Sequence, residues 1–225
     1  SLGVRPRAEA ILELKVCDPA MGSGAFLVEA CRQLAAALVA AWEAEGSTPK
    51  LPADEDPLLH ARRLVAQRCL YGVDKNRFAV NLAKLSLWLV TLAKDHPFTF
   101  LDHALRQGDS LVGLSLEQLR CFSWVVEKEP PLLRQVLARA VAEAEEKRRE
   151  IHALADSDDT KRKRALLEDA DHAVEKVRRI GDLVVDAFFG RQKDKERRSL
   201  RLAHLDAVEK ALAGKGEWPE PVESR

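Results

Sequence analysis

The run Cys17-Asp18-Pro19-Ala20-Met21-Gly22-Ser23-Gly24-Ala25-Phe26-Leu27 constrains this chain more than any other. It follows an apolar segment, Ile11 to Val16, whose length and composition predict a short buried strand. It precedes Phe26 to Trp42, where apolar residues recur at helical spacing. A strand, a turn with two glycines and a helix make the ligand-binding corner of a doubly wound α/β domain. Glycine suits such a turn because it tolerates positive φ and lets a ligand approach the backbone. The helix start then offers unpaired N–H groups and a partial positive charge.

The spacing argues against two common ligands. A dinucleotide fingerprint needs a third glycine and an acid about 20 positions later. Leu27 stands at the third position, and the first acid at a plausible strand end is Asp74. A phosphate loop needs G-x-x-x-x-G-K-[ST], which is absent. Asp18-Pro19-Ala20-x-Gly22-Ser23-Gly24-x-Phe26-Leu27 instead resembles motif I of the N6-adenine-specific DNA methyltransferases. The cofactor implied by that resemblance is S-adenosylmethionine, which carries no pyrophosphate and so needs no third glycine. The fold implied is the Rossmann-like α/β fold of methyltransferases that use this cofactor, in partial form.

Two later stretches extend the resemblance in the order the family requires. Cys69-Leu70-Tyr71-Gly72-Val73-Asp74-Lys75-Asn76 reads as a strand ending in an acid, and Phe78 to Leu89 as a helix apolar nearly all round, hence buried. This is similar to motif II, in which the acid binds the ribose hydroxyls; a carboxylate can accept both hydrogen bonds of a diol. Gly108-Asp109-Ser110-Leu111, at the end of a stretch opening at Phe98, is similar to motif III, whose acid accepts from the adenine amine. The resemblance thus implies that Asp18, Gly22, Gly24 and Phe26 line the methionine side, that Asp74 holds the ribose and Asp109 the adenine, and that Pro19, Ala20, Lys75 and Asn76 also belong to the cofactor site. Asp102 and His103 read as turn and strand-edge residues, since no nucleophile motif accompanies them.

Lys plus Arg and Asp plus Glu both number 36, so the chain is formally neutral and offers little nonspecific affinity for DNA. Cys17, Cys31, Cys69 and Cys121 are scattered without a C-x-x-C pair and read as buried thiols of a reducing compartment. The histidines lack metal-ligand spacing. No apolar run reaches the length expected of a membrane span, and no signal-peptide pattern opens the chain, so a cytoplasmic protein without membrane contact is expected.

Beyond about residue 130 glycine becomes rare and charges alternate. Leu133, Val136, Leu137, Ala140, Ala144 and Ile151 form one helical stripe; Leu166, Ala170, Ala173, Val177, Ile180, Val184 and Ala187 form another at heptad spacing. The polar break Asp156-Ser157-Asp158-Asp159-Thr160 predicts an antiparallel hairpin of two long helices. Leu202, Leu205, Val208 and Leu212 mark a third helix, ended by Gly214 and Gly216. Two basic clusters, Lys161 to Arg164 and Arg191 to Arg201, read as solvated helix surface with acids interleaved in the second. Before the second strand, Leu58 to Gln67 reads as an additional short helix. The division expected is a cofactor part over 1–125, a helical insertion over 126–213 and a loose tail over 214–225.

The catalytic asparagine motif of the family, Asn-Pro-Pro-aromatic, is not found. Asn76 and Asn81 are the only asparagines and neither precedes proline; Glu129-Pro130-Pro131-Leu132 is the nearest approximation. No catalytic residue and no metal ligand is therefore assigned. The resemblance implies that the intact protein methylates adenine in DNA, with further domains of the same polypeptide as partners. A Tyr-Thr-Pro-type motif that the family carries upstream is also missing. The competing reading is a nonenzymatic interaction module on a degenerate methyltransferase fold.

Overall fold

The computed structural model describes residues 6–53, 55–91, 101–154 and 159–221. These form an α/β arrangement in two compact units: residues 1–110 with 148–167, and residues 111–147 with 168–225.

In the first unit, three parallel strands lie in the order β1 (Val16–Asp18), β2 (Leu70–Asp74), β3 (Leu105–Gln107). Val16 pairs with Leu70, and Gly72 with Leu105. Parallel strands need crossovers, and helices supply them. α2 (Ala25–Glu45) and α3 (Pro57–Arg68) connect β1 to β2, and α4 (Arg77–Thr91) follows β2. Asp56 caps α3 by accepting from the Leu58 amide at 2.8 Å, with Pro57 at the first helical position. Leu27, Cys31, Ala35 and Leu38 of α2, Val65 of α3, Ala83 and Leu87 of α4, and Leu70 and Leu105 of the strands share one buried core.

Four sequence expectations are corrected in this unit. Ile11 and Leu12 are not strand: they belong to a one-turn helix, α1 (Ala8–Leu12), and the strand starts only at Val16. Short apolar runs fit either state, and here tertiary contact decides. Ile11 is buried against α2, and the Ala8 amide donates to Glu45 Oε1 at 3.0 Å. Second, α4 is not buried all round: Val80, Ala83 and Leu87 face the core, while Phe78, Leu85 and Leu89 are exposed. Third, Cys17 is exposed, unlike the other three cysteines, in a strand whose two neighbouring residues are only partly buried. Fourth, α2 is long and apolar enough to cross a bilayer by length and composition. In this fold it is a core helix packed on α1, α3, α4 and the sheet, which meets the same criterion. The start of the third stretch, Phe98 to Phe100, lies outside the described residues.

The second unit holds α5 (Leu116–Arg120), α8 (Glu175–Phe189) and α9 (Asp194–Leu212). α6 (Pro131–Ala153) and α7 (Thr160–Ala173) contribute residues to both units. Leu133 and Leu137 pack with Val177, Ile180, Val184 and Val208, and Phe122 joins them; Ile151 packs with Leu166 and Leu167 in the first unit. The long second helix expected over this stretch is interrupted at Val174, where φ is −94° and ψ is 5°. The break falls between the segments that serve these two clusters. Asp156, Ser157 and Asp158, where the hairpin turn was expected, lie outside the described residues. Two basic side chains are not solvated. Lys163 is buried and donates to Gln67 Oε1 at 2.9 Å; Arg201 is buried and donates to the Phe122 carbonyl at 3.2 Å. Gly214, at φ +69°, closes α9 with its amide on the Ala211 carbonyl.

Candidate functional site

The parallel sheet delivers three acids to one edge. Asp18 is the last residue of β1, Asp74 the last of β2, and Asp109 lies two residues beyond β3. Open α/β sheets bind ligands at this carboxyl edge.

The turn between β1 and α2 is built from its own backbone and from Asp74. Asp18 Oδ1 accepts from the Ala20 amide at 3.0 Å, which bends the chain through Pro19. The Met21 amide then donates to the Val73 carbonyl at 3.0 Å, and the Gly22 amide to Asp74 Oδ2 at 2.9 Å. Both bonds fasten the turn to the end of β2. Gly22 has φ +54° and a Cβ there would meet nothing within 4 Å, so its backbone borders open space. Gly24 is needed twice: its φ is +81°, and a Cβ would lie 3.0 Å from Ala83 Cβ, where α4 passes. Gly24 is the N-cap of α2 and brings no side-chain acceptor to the first turn. Phe26, in that turn, is 59% exposed.

Asp74 is half-buried and central to this arrangement. Its Oδ1 accepts from the Asn76 amide at 2.8 Å while Oδ2 holds Gly22. Asn76 Oδ1 in turn accepts from the Phe78 amide at 2.9 Å and starts α4. Each carboxylate oxygen keeps a second lone pair for a ligand donor. Lys75 Nζ lies 3.2 Å from Asp109 Oδ2. The Gly108 amide donates to the Asp74 carbonyl at 3.0 Å, which ties the segment carrying Asp109 to β2. The structure therefore links the Gly22 turn, Asp74 to Asn76, and Asp109 by direct bonds; Phe26 is joined to them only through the start of α2.

Two residues beside the site were not singled out from sequence. Gly72, inside β2, lies under the turn: a Cβ there would come within 3.0 Å of Leu27 Cδ1 and closer still to Met21 Sδ. A glycine inside a strand pattern is the available signal for such close approach. Phe78, read as part of a buried helix, is 69% exposed in the first turn of α4, at the same sheet edge. Asp102 pairs with Lys84, and His103 is a buried side chain whose Nε2 meets the Gln67 carbonyl at 3.1 Å. Burial, with His152, Arg148 and Lys163 nearby, lowers the His103 pKa to about 4, against the Gln67 carbonyl. His103 is thus a core residue rather than a strand-edge one. Among the described residues no group of His, Cys, Asp and Glu could hold a metal ion.

A glycine turn clamped by a strand-end acid, with two more acids on the same edge, marks the carboxyl edge of a parallel α/β sheet. Residues 5–111 match the family model for the DNA-methyltransferase domain of MmeI, just under half of the chain. This part of the chain is thus similar to a DNA-methyltransferase domain. A Methanocaldococcus jannaschii protein provisionally named a type II restriction enzyme and methyltransferase is 28% identical over 120 residues, which cover 49% of this chain. The matched region spans 10% of that relative's length. No solved structure matches the chain.

Proposed function

We propose that this chain carries the S-adenosylmethionine-binding part of an adenine-N6 DNA methyltransferase, on a Rossmann-like fold whose cofactor part spans 1–125 and whose helical insertion spans 126–213. The observation that carries the reading is the match of residues 5–111 to a DNA-methyltransferase domain, together with three acids on one sheet edge. The residues present fit the cofactor. The open space over Gly22 admits a ligand against the backbone, and Asp74 retains acceptor capacity on both oxygens. Asp18, Gly22, Gly24 and Phe26 would take the methionine side, Asp74 the ribose and Asp109 the adenine amine; Pro19, Ala20, Lys75 and Asn76 would also belong to the cofactor site.

When bound, the cofactor supplies an electrophilic methyl group on a sulfonium centre. The chain's own part is to bind and orient it: Asp74 fixes the turn before any ligand arrives, so less ordering remains to be done on binding. Lys75 must share Asp109 with the adenine amine or leave it. The acceptors that orient a target amine within reach of the methyl group would come from other segments of the intact protein, because no Asn-Pro-Pro-aromatic sequence occurs here.

The test has two stages. Calorimetry of the 225-residue chain should show S-adenosylhomocysteine binding in preference to nicotinamide dinucleotide. The intact protein should then label duplex DNA from a radiolabelled cofactor, and nucleoside analysis of the product should give N6-methyladenine. Methylcytosine as the product would leave the methyltransferase and remove the adenine assignment. Failure of the first stage would favour the nonenzymatic module.

A further inference from the structure

The opposite, amino-terminal edge of the same sheet gathers basic side chains, two of them charged and the histidine neutral. Lys15 immediately precedes β1, Arg68 stands two residues before β2, and His103 two before β3. Parallel pairing puts all three at one edge. Lys15 Nζ donates to the Arg68 carbonyl at 2.6 Å and lies 5.7 Å from the centre of the Tyr71 ring. Tyr71 Oη is 3.4 Å from His152 Nε2, and the His152 ring stands edge-on to His103 at 5.5 Å. Lys163 reaches the same place from α7, held by Gln67. A cavity of about 370 Å³ opens here, lined by Lys15, Arg68 and His152, with Glu13 as its one carboxylate and Leu12 and Ala153 as its apolar wall.

Lys15, Arg68 and Arg148 place positive charge beside His152. The His152 pKa is lowered, first by burial and then by Lys15, Arg68 and Arg148. Arg148 acts on His103 and on Tyr71 as well. Lys15 and Arg68 bring two positive charges to the cavity wall, and both attract an anion. Lys15, Arg68 and His152 project several donors from three separate segments into one cavity, and Tyr71 adds a hydroxyl behind His152. That donor set suits a phosphate, whose oxygens accept from several directions, and the Arg68 guanidinium can meet two of them at once.

We propose that this cavity, at the sheet edge opposite the Gly22 turn, binds a phosphate group through Lys15, Arg68 and His152. The group belongs either to a free polyphosphate or to a DNA backbone, and it does not depend on the cofactor reading.

Histidine-selective NMR of the 225-residue chain tests this, with inorganic pyrophosphate as the probe at fixed ionic strength. Bound pyrophosphate should raise the His152 pKa, because an anion favours the imidazolium. K15M keeps the aliphatic stem and removes one charge-assisted contact, so affinity should fall at least about tenfold. R148M, one step from the cavity, should raise the His152 pKa and weaken binding less. K195M, exposed on α9, should change neither. A short DNA duplex forms the second arm. A His152 response to duplex that pyrophosphate reverses assigns the site to backbone phosphate; a response to pyrophosphate alone assigns it to a free polyphosphate. An unchanged His152 titration in both arms, or equal affinity in K15M with unchanged circular dichroism, would overturn the proposal.

Discussion

Replacing Asp74 by Asn separates the two tasks placed on that side chain. The carboxylate accepts from Gly22 at 2.9 Å and from Asn76 at 2.8 Å. The asparagine amide keeps one acceptor and turns an N–H₂ group toward the other backbone N–H. One charge-assisted bond is lost outright and the other becomes neutral. Bonds to a charged group contribute about 1.5–3 kcal/mol each. Asp74 is half-buried and water can reach part of the vacated space, so a loss of about 2 kcal/mol is expected. Urea denaturation followed by circular dichroism should therefore show a lower midpoint with an unchanged slope. Calorimetry with S-adenosylhomocysteine should show at least about tenfold weaker binding, since the turn is released and the ribose partner altered. Lower stability with unchanged affinity would make Asp74 a clamp for the Gly22 turn and nothing more. Weaker binding at unchanged stability would make it a ligand contact alone. No change in either would refute both the hydrogen-bond assignment and the site.

Gly72→Ala should lower stability by about 1–3 kcal/mol, because the new methyl group displaces Met21 and crowds Leu27 and Leu105; an unaltered melting temperature would show that the turn does not rest on β2. His103 is held neutral mainly by burial, with its folded pKa at about 4 against an ordinary 6.5. The unfolded chain therefore takes up a proton that the folded chain refuses. The stability contributed above pH 6.5 is lost as pH falls toward 4, by about 3 kcal/mol, and His103→Gln should remove that share of the pH dependence. A thiol reagent at pH 8 should modify Cys17 rapidly and the buried Cys31, Cys69 and Cys121 only on unfolding; burial also pushes the Cys31 thiol up to about 12 and the Cys69 thiol up. Prompt modification of two thiols would contradict the packing described.

The strand–glycine turn–helix corner, the order of the three acids and the positions of the main helices were legible in sequence because they depend on local chemistry. Positive φ calls for glycine, helical periodicity marks α2 and α3, and the end of a strand is marked by where its apolar run stops. Composition and spacing could not decide whether Ile11 and Leu12 are helix or strand; contact with α2 did. Nor could they show which side of α4 is covered, since its apolar residues run nearly all round and burial depends on what packs there. The same limit applies to Cys17, whose exposure depends on what the rest of the chain packs beside the strand. Lys163 and Arg201 read as surface charge, and only the fold supplies Gln67 and the Phe122 carbonyl as partners 96 and 79 residues away. Asp74 is the clearest case. Sequence marks it as an acid at a strand end, while its grip on Gly22, 52 residues distant, exists only once β1 and β2 are paired. Local backbone preferences are written in consecutive residues; the partners of a side chain depend on which distant segments the core brings beside it.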